Sequence, residues 1–397
     1  MTEPAPASRI GALERRYLNG TFAELCRIAS PSLAERACAE RVIAELRPLE
    51  ISVAEDGAGA RIGSDCGNLL ARIPGPAPAG GEDELRRSVA LCAHLDTVPL
   101  AGPVEPVLED GFWENANDGI LGADNKAAIA VLLTLARHIS SAGPPLDVEL
   151  LFTVGEELSL AGSAAFDASV LRSQYGYVLD HASPIGEVIV GSPCHFRIEA
   201  SFRGAAAHAG IRPQEGRSAI LAGALAVGAM RHGQLEGEGT VNVATINGGS
   251  AINVVPERCQ LLAEVRGIDD ERGEALAAEI VERLHEAANR PECECDVDIS
   301  VQRTFSGYRL APSSAPLQAA EAALRCRGFE PSRIWSGGGS DANALIAQGF
   351  PTVNLANGTE RNHEPGERVS ARALEEMLEV VLALLDEVAA PDPDSAL

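Results

Sequence analysis

No CxxC spacing occurs among the nine cysteines of this 397-residue chain, so a zinc ribbon and a dithiol redox motif are both excluded. An odd number of scattered thiols fits reduced cysteines in a cytosolic protein. The pair Cys293 and Cys295, in "CEC", is read as two of these rather than as a metal site. No run of eighteen apolar residues is present, which leaves no spanning helix. The opening stretch "MTEPAPASRIGALERRYLNG" lacks the apolar core of a secretory signal, so a cytoplasmic location is expected and no membrane partner. Positive charge is scarce: 32 Lys and Arg stand against 57 Asp and Glu, a formal net charge of −25. Such a surface repels phosphate backbones and excludes a nucleic-acid partner. The Gly-rich "GGGSDAN" has neither the lysine of a phosphate loop nor GxGxxG spacing, which argues against nucleotide binding.

What is present is ordinary soluble composition, 46% hydrophobic and 22% charged. The length suggests two domains. "RIGALERRYLNGTFAELCRI" and "PSLAERACAERVIAELRPLE" have helical periodicity, with Ser30 or Ser32 as caps. "NLLARIPG", "SVALCAHLD", "DVELLFTVGEE" and "GYVLDHA" read as strands, and "NDGILGADNKAAIAVLLTLARHI" as a loop feeding a long helix. This alternation implies an α/β fold with an open, mostly parallel sheet between helical layers. "PGPAPAGGEDE" reads as a surface loop. From residue 193 the pattern becomes the apolar–polar alternation of half-exposed antiparallel strands, in β-α-β-β-α order. The α/β alternation resumes after about Phe305, with "SGGGSDANAL" as a loop. The expected organisation is a main domain over 1–192 and 305–397 and an inserted, smaller α+β, ferredoxin-like module over 193–304.

The strand ends carry the chemistry. "ALCAHLDTVP" finishes in His94 and Asp96, and "LLFTVGEE" in Glu156 and Glu157. "GYVLD" finishes in Asp180, "TVNLANGTERNH" leads to His363, and Asp124 starts a helix. Each has a bland alternative: an incidental HxD, an acidic pair favouring a helix N-terminus, a capping aspartate. Together, along the carboxyl edge of one sheet, they form a set of carboxylates that is costly to bury without a cation. Two histidines with several Asp and Glu and no Cys suit zinc, cobalt or manganese, and the number of donors suits two ions better than one.

"HLDTVP", "GADNKAAIA", "GEE", "YVLD", "GGSDAN" and "NGTERNHEPGE" give the chain a resemblance to the co-catalytic metallopeptidases that include peptidase T, carboxypeptidase G, aminoacylase and succinyl-diaminopimelate desuccinylase. "GGGSDANAL" and "NLANG" look most like the peptidase T-like branch. The resemblance spans nearly the whole chain, and it implies that the inserted module is a lid and dimerisation domain through which a homodimer forms. It implies a site of two divalent ions per chain, zinc foremost: His94 and Asp180 on one, Glu157 and His363 on the other, Asp124 bridging. Asp96 would orient His94, and Glu156 would be the general base acting on a metal-bridging water. The Asp124–Asn125 peptide is cis in relatives. Adjacent residues of a strand point to opposite sides, so Glu156 and Glu157 must sit on an irregular turn to serve one site.

The same resemblance puts His208 of "GAAAHAG" on an oxyanion, Asn253 of "AINVVPE" on substrate, and Arg266 of "AEVRGID" on a substrate carboxylate. Gly338 and Gly339 would offer backbone N–H groups, while Ser340 and Asp341 are weaker candidates. His138, His232 and His285 read as structural or exposed. Two departures stand out: Glu364 follows His363 where relatives often have Thr, although Glu367 keeps its place, and His181 follows Asp180. The implied activity is a di-metal aminopeptidase of short peptides, tripeptides in particular. An N-acyl-amino-acid amidohydrolase or a carboxypeptidase is the alternative, and a non-catalytic metal-binding relative a third.

Overall fold

Four strands that end in candidate residues or lead to them lie side by side and run parallel. Across the sheet they are Asp147–Thr153, Ser88–His94, Gly176–Leu179 and Thr352–Leu355. Their carboxyl ends therefore share one edge. Leu69–Ile73 joins outside Asp147–Thr153 and runs antiparallel to it. The computed structural model describes residues 7–76 and 87–390, so most of the stretch read as a surface loop, from Ala77 to Glu84, lies outside the described residues.

The chain divides into two compact units. One comprises Met1–Gly191, Arg309–Ser336 and Ser340–Leu397; the other comprises Ser192–Tyr308 and Gly337–Gly339. In the first, every residue of Ser88–His94 is buried, as expected of a strand covered on both faces. The Ala- and Leu-rich helix Ala123–Ala142 is buried along most of its length and contributes to one continuous apolar core, with Ala371–Ala389 and Ala12–Arg27. Small side chains on that helix let it lie close to the sheet it follows.

Two local expectations are corrected. Neither Ser30 nor Ser32 caps a helix: Ser30 Oγ donates to the Leu95 carbonyl at 2.9 Å and Ser32 Oγ to Asp96 at 2.7 Å. The helix Arg36–Leu46 begins after Glu35, whose carboxylate is turned elsewhere. "SGGGSDANAL" is a loop only to Ser340, because a Ser340–Asn343 capping box starts a helix at Asp341–Ala347. A small antiparallel sheet that periodicity did not reveal, Pro106–Glu109, Phe112–Asn115, Arg368–Ser370 and Thr359–Glu360, frames the segment holding His363.

The second unit is an antiparallel sheet in the order Gly233–Leu235, Gly239–Gly248, Arg258–Gly267, Cys194–Arg203 and Asp296–Phe305. The helices Ala219–Ala229 and Asp270–Ala288 pack on it over a separate core. Phe196, Ile198, Ala200 and Phe202 are buried while Arg197, Glu199 and Arg203 are exposed, the period-two pattern of a half-covered strand. The strand Asp296–Phe305 completes a βαββαβ order, with the short Gly233–Leu235 strand added at one edge. That last long strand runs to Phe305, and the unit extends to Tyr308.

Candidate metal and catalytic centre

His94 is the last residue of its strand and is 1% exposed. Its Nδ1 lies 3.0 Å from the Asp96 carbonyl and 3.3 Å from the Asp96 carboxylate. Its Nε2 faces Asp124 Oδ1 at 3.2 Å and Asp180 Oδ1 at 3.6 Å. Opposite, His363 Nε2 lies 3.2 Å from Asp124 Oδ2 and 2.8 Å from Glu157 Oε1. The two oxygens of Asp124 thus address two donor groups, His94 with Asp180 and His363 with Glu157.

Asp124 reaches this position because its backbone departs from the helix. Residues 124 and 125 have non-helical torsions within Ala123–Ala142, and the peptide between them is cis. Glu367 fixes the approach: one of its oxygens accepts from Leu121 and Gly122 N–H at 2.9 and 2.7 Å, the other from Asp124 N–H at 2.9 Å. Asn362 Nδ2 donates to Asp124 Oδ2 at 2.8 Å. His363 itself adopts φ +66°, an uncommon conformation for a side chain larger than glycine, and the hairpin around it holds it there.

The turn carrying Glu156 and Glu157 is the irregular one that the sequence requires. Four consecutive backbone N–H groups are each received by a side chain. Val154 donates to Asn68 at 3.0 Å and Gly155 to Glu35 at 3.0 Å; Glu156 and Glu157 donate to the two oxygens of Asp96 at 3.0 and 3.1 Å. Gly155 takes φ +60°, where glycine avoids the strain other residues meet. Asp96 therefore does two things, touching His94 and suspending both glutamates. Glu35 is fully buried, and its second oxygen accepts from Ser64 at 2.6 Å. Glu35, Asn68 and the backbone role of Glu367 escape sequence reasoning. An acid at a helix start and an asparagine before a strand look ordinary in one dimension.

The electrostatics follow from packing carboxylates at one buried edge. Burial, with Asp180 nearby, pushes the Glu156 carboxyl well above its ordinary range, and burial beside Asp124 raises Asp180 to about 7. Burial disfavours a charged His94, but Asp180 and Asp124 outweigh it and raise the imidazole. Hydrogen bonds to Asp124 and Glu157 push His363 up to about 10. Asp124, facing both histidines, stays below the ordinary range in spite of its burial. The cluster draws protons because it carries more negative charge than its surroundings neutralise.

These donors fit metal ions. Oxygen and nitrogen atoms about 2.0–2.2 Å from a tetrahedral zinc stand roughly 3.3–3.6 Å apart; His94 Nε2 lies 3.2 and 3.6 Å from the Asp124 and Asp180 oxygens and His363 Nε2 3.2 Å from Asp124, close to that spacing, whereas His363 and Glu157 at 2.8 Å are in direct hydrogen-bond contact and would part to admit an ion. Donor atoms of His94, Asp124 and Glu157, and of His94, Glu156 and Asp180, also lie within 4.8 Å of one another, so Glu156 stands beside the ligand set. A further group, Glu35, Asp65 and Cys66, meets the same distance test, but Glu35 is occupied by Leu33, Gly155 and Ser64.

His208, Asn253, Arg266, Gly338 and Gly339 lie in the second unit, and Ser340 and Asp341 in the first. His208 is on an exposed loop bridged to Val254, and Ala209 N–H donates to the Asn253 carbonyl at 2.9 Å. Gly210 N–H donates to His208 Nδ1 at 3.2 Å, so the ring hydrogen belongs to Nε2. Arg266 is on the strand Arg258–Gly267 and donates through Nη1 to the Gly337 carbonyl at 3.1 Å. Gly338 and Gly339 follow at once, and a Cβ on Gly339 would come within 2.6 Å of the Phe305 ring. His138, His232 and His285 lie outside these sites; His138 pairs with Glu14 and His232 with the Val227 carbonyl.

Among known proteins, a model of peptidase family M20/M25/M40 matches residues 90–387. The uncharacterized protein YqjE of Bacillus subtilis is 31% identical over 377 residues, covering 95% of this chain and 99% of that one. The crystal structure of aminopeptidase PepT from Bacillus cereus superposes with a TM-score of 0.84 at 32% identity, over 95% of this chain and 99% of that one. A tripeptidase from Staphylococcus aureus superposes with a TM-score of 0.87 at 30% identity, over 94% and 98%.

Proposed function

The chain belongs to peptidase family M20/M25/M40, and we propose that it is a di-metal aminopeptidase removing the N-terminal residue from short peptides, tripeptides foremost. The observation that carries the reading is the divided carboxylate of Asp124, one oxygen toward His94 and Asp180 and the other toward His363 and Glu157. The full-length likeness to an aminopeptidase and a tripeptidase supports the choice of substrate.

His94, Asp180, Asp124, Glu157 and His363 would hold two divalent ions, zinc foremost. Such ions, when bound, polarise the scissile carbonyl and acidify the attacking water. Glu156, suspended beside the ligands by its backbone bond to Asp96, takes the proton from that water and returns it to the leaving amine. Asp96 fixes the His94 ring through Nδ1 and so keeps Nε2 directed at Asp124 and Asp180. His208, with the hydrogen on Nε2, is the donor for the developing oxyanion, Asn253 a substrate contact, and Arg266 the receptor of the peptide's terminal carboxylate. Backbone N–H groups at Gly338 and Gly339 contact the substrate chain.

The test is to strip the protein with a chelator and restore zinc, cobalt or manganese separately. Di-, tri- and tetrapeptides are then offered beside N-acetyl amino acids. Release of the N-terminal residue from tripeptides, recovered at about two ions per chain, is expected. Turnover of N-acetyl amino acids alone would reassign the activity to amide hydrolysis of acylated amino acids.

A further inference from the structure

His195 lies on the strand Cys194–Arg203 of the second unit and is 9% exposed. Both ring nitrogens are engaged, Nδ1 at 2.6 Å from Thr304 Oγ1 and Nε2 at 3.0 Å from Glu264 Oε2. A carboxylate only accepts, so Nε2 carries a hydrogen; burial lowers the imidazole pKa and favours the neutral ring, whose Nδ1 accepts from the threonine hydroxyl. The ring stacks on Phe305 with centroids 5.4 Å apart and planes at 21°.

The strand register places His195 directly between Arg266 on one neighbouring strand and Phe305 on the other. Glu264 and Arg266, two residues apart, project from the same face of their strand. The Glu264 oxygen that receives His195 lies 3.3 Å from Arg266 Nη2, and Arg266 Nη1 holds the Gly337 carbonyl at 3.1 Å. Ser192 Oγ donates to the Gly338 carbonyl at 2.8 Å, and the Phe305 ring occupies the space beside Gly339. One buried imidazole therefore supports both the arginine and the glycine loop.

We propose that His195 and Glu264 are positioning residues that hold Arg266 and the Gly337–Gly339 loop ready for the terminal carboxylate of a short peptide. This rests on the carboxylate-receiving role given to Arg266 above. A guanidinium has five N–H groups. Two are committed to Glu264 and Gly337, which fixes the plane of the group and leaves Nε–H and two outer hydrogens for a planar anion. Without the anchor the same side chain samples several rotamers, and binding must order it each time.

The experiment compares Ala-Ala-Ala with its C-terminal amide as substrates of the metal-loaded full chain. The variants are Arg266→Ala, His195→Phe, which keeps the ring stack but loses both hydrogen bonds, and Glu264→Gln, which keeps the shape but loses the charge. The unsubstituted enzyme should prefer the acid. Arg266→Ala should abolish that preference, with a loss of about 100-fold in kcat/KM on the acid alone. His195→Phe and Glu264→Gln should each raise KM for the acid about tenfold, with kcat and turnover of the amide within about twofold. If Arg266→Ala removes the preference while both other variants keep it, the positioning role is overturned and the Arg266 assignment stands. If the enzyme does not prefer the acid, or cleaves neither peptide, the Arg266 assignment or the peptidase reading fails and the inference falls with it. Should His195→Phe not fold, Glu264→Gln decides alone.

Discussion

His94 is 1% exposed and His363 keeps 50% of its side chain in solvent, yet both face the same carboxylate. The first ends a strand buried on both faces, with Asp96 behind it and Asp124 and Asp180 before it. The second stands on a hairpin between two-residue and three-residue strands. One half of the centre is therefore built by the fold and the other half is brought to it. A buried imidazole among carboxylates is coupled to folding whether or not a metal is bound, since its removal strands charges without solvent. An exposed imidazole on a hairpin contributes little to folding and most of its value to the ligand it meets.

The largest expected effect comes from Glu156, the acid that stands beside the ligand set. Glu156→Gln should lower kcat by about 10²–10⁴-fold, while metal analysis still finds two ions per chain. Near-normal turnover with metals retained would remove Glu156 from proton transfer. The next pair tests the contrast itself. His94→Ala should cost about 3–5 kcal/mol in the metal-free protein, because buried carboxylates lose their partner, and should also abolish metal binding. His363→Ala should cost the metal-free protein less than His94→Ala, because half of its side chain is in solvent and water can replace it beside Asp124 and Glu157, while one ion is lost. Urea unfolding of both variants with chelator present is the measurement, and equal costs would refute the division into folded and delivered halves.

A second substitution pair asks how far the buried half extends. Glu35 carries no proposed chemistry, but it receives the Gly155 N–H next to Glu156. Glu35→Ala leaves the buried Gly155 N–H unpaired, at a cost of about 1–3 kcal/mol, while the half-buried Leu33 N–H can turn to water. It should lower both the unfolding midpoint and kcat. Glu35→Gln keeps an acceptor oxygen for both N–H groups and offers Ser64 a donor, so it should restore most of the loss. If the two variants behave alike, the Gly155 contact is incidental to the turn.

The same contrast explains what could be read in one dimension. His94, Asp96, Glu156, Glu157 and Asp180 were legible because each ends a buried apolar run, where an acid or imidazole is conspicuous and parallel strands bring their ends to one edge. Asp124 and His363 are less conspicuous, one at a helix start and the other eight residues beyond its strand, since neither ends a buried run and the short strands around His363 are too brief to show a period. Glu35, Asn68 and Glu367 act on backbone N–H groups far along the chain, as in the 120 residues between Glu35 and Gly155, and composition does not report such pairings. Ser30 and Ser32 misled for the same reason: a serine before a helix reads as a cap until a distant strand end claims its hydroxyl. In the second unit His195 is one polar residue within an alternating strand, and only the register against Arg266 reveals it.

The smallest effect concerns Glu364, the acid that directly follows His363. Its carboxylate has 64% of its surface in solvent and approaches Arg361 at 3.6 Å, a spacing and exposure at which an ion pair contributes about 0–0.5 kcal/mol. His363 does not depend on it: the hairpin strands and the Glu157 contact hold the imidazole from the other side. Glu364→Thr should therefore leave metal content, stability and tripeptide turnover within about twofold of the unsubstituted enzyme. A larger change in KM for some peptides and not others would place Glu364 against the substrate, and would make the delivered half of the centre a determinant of specificity as well as a ligand carrier.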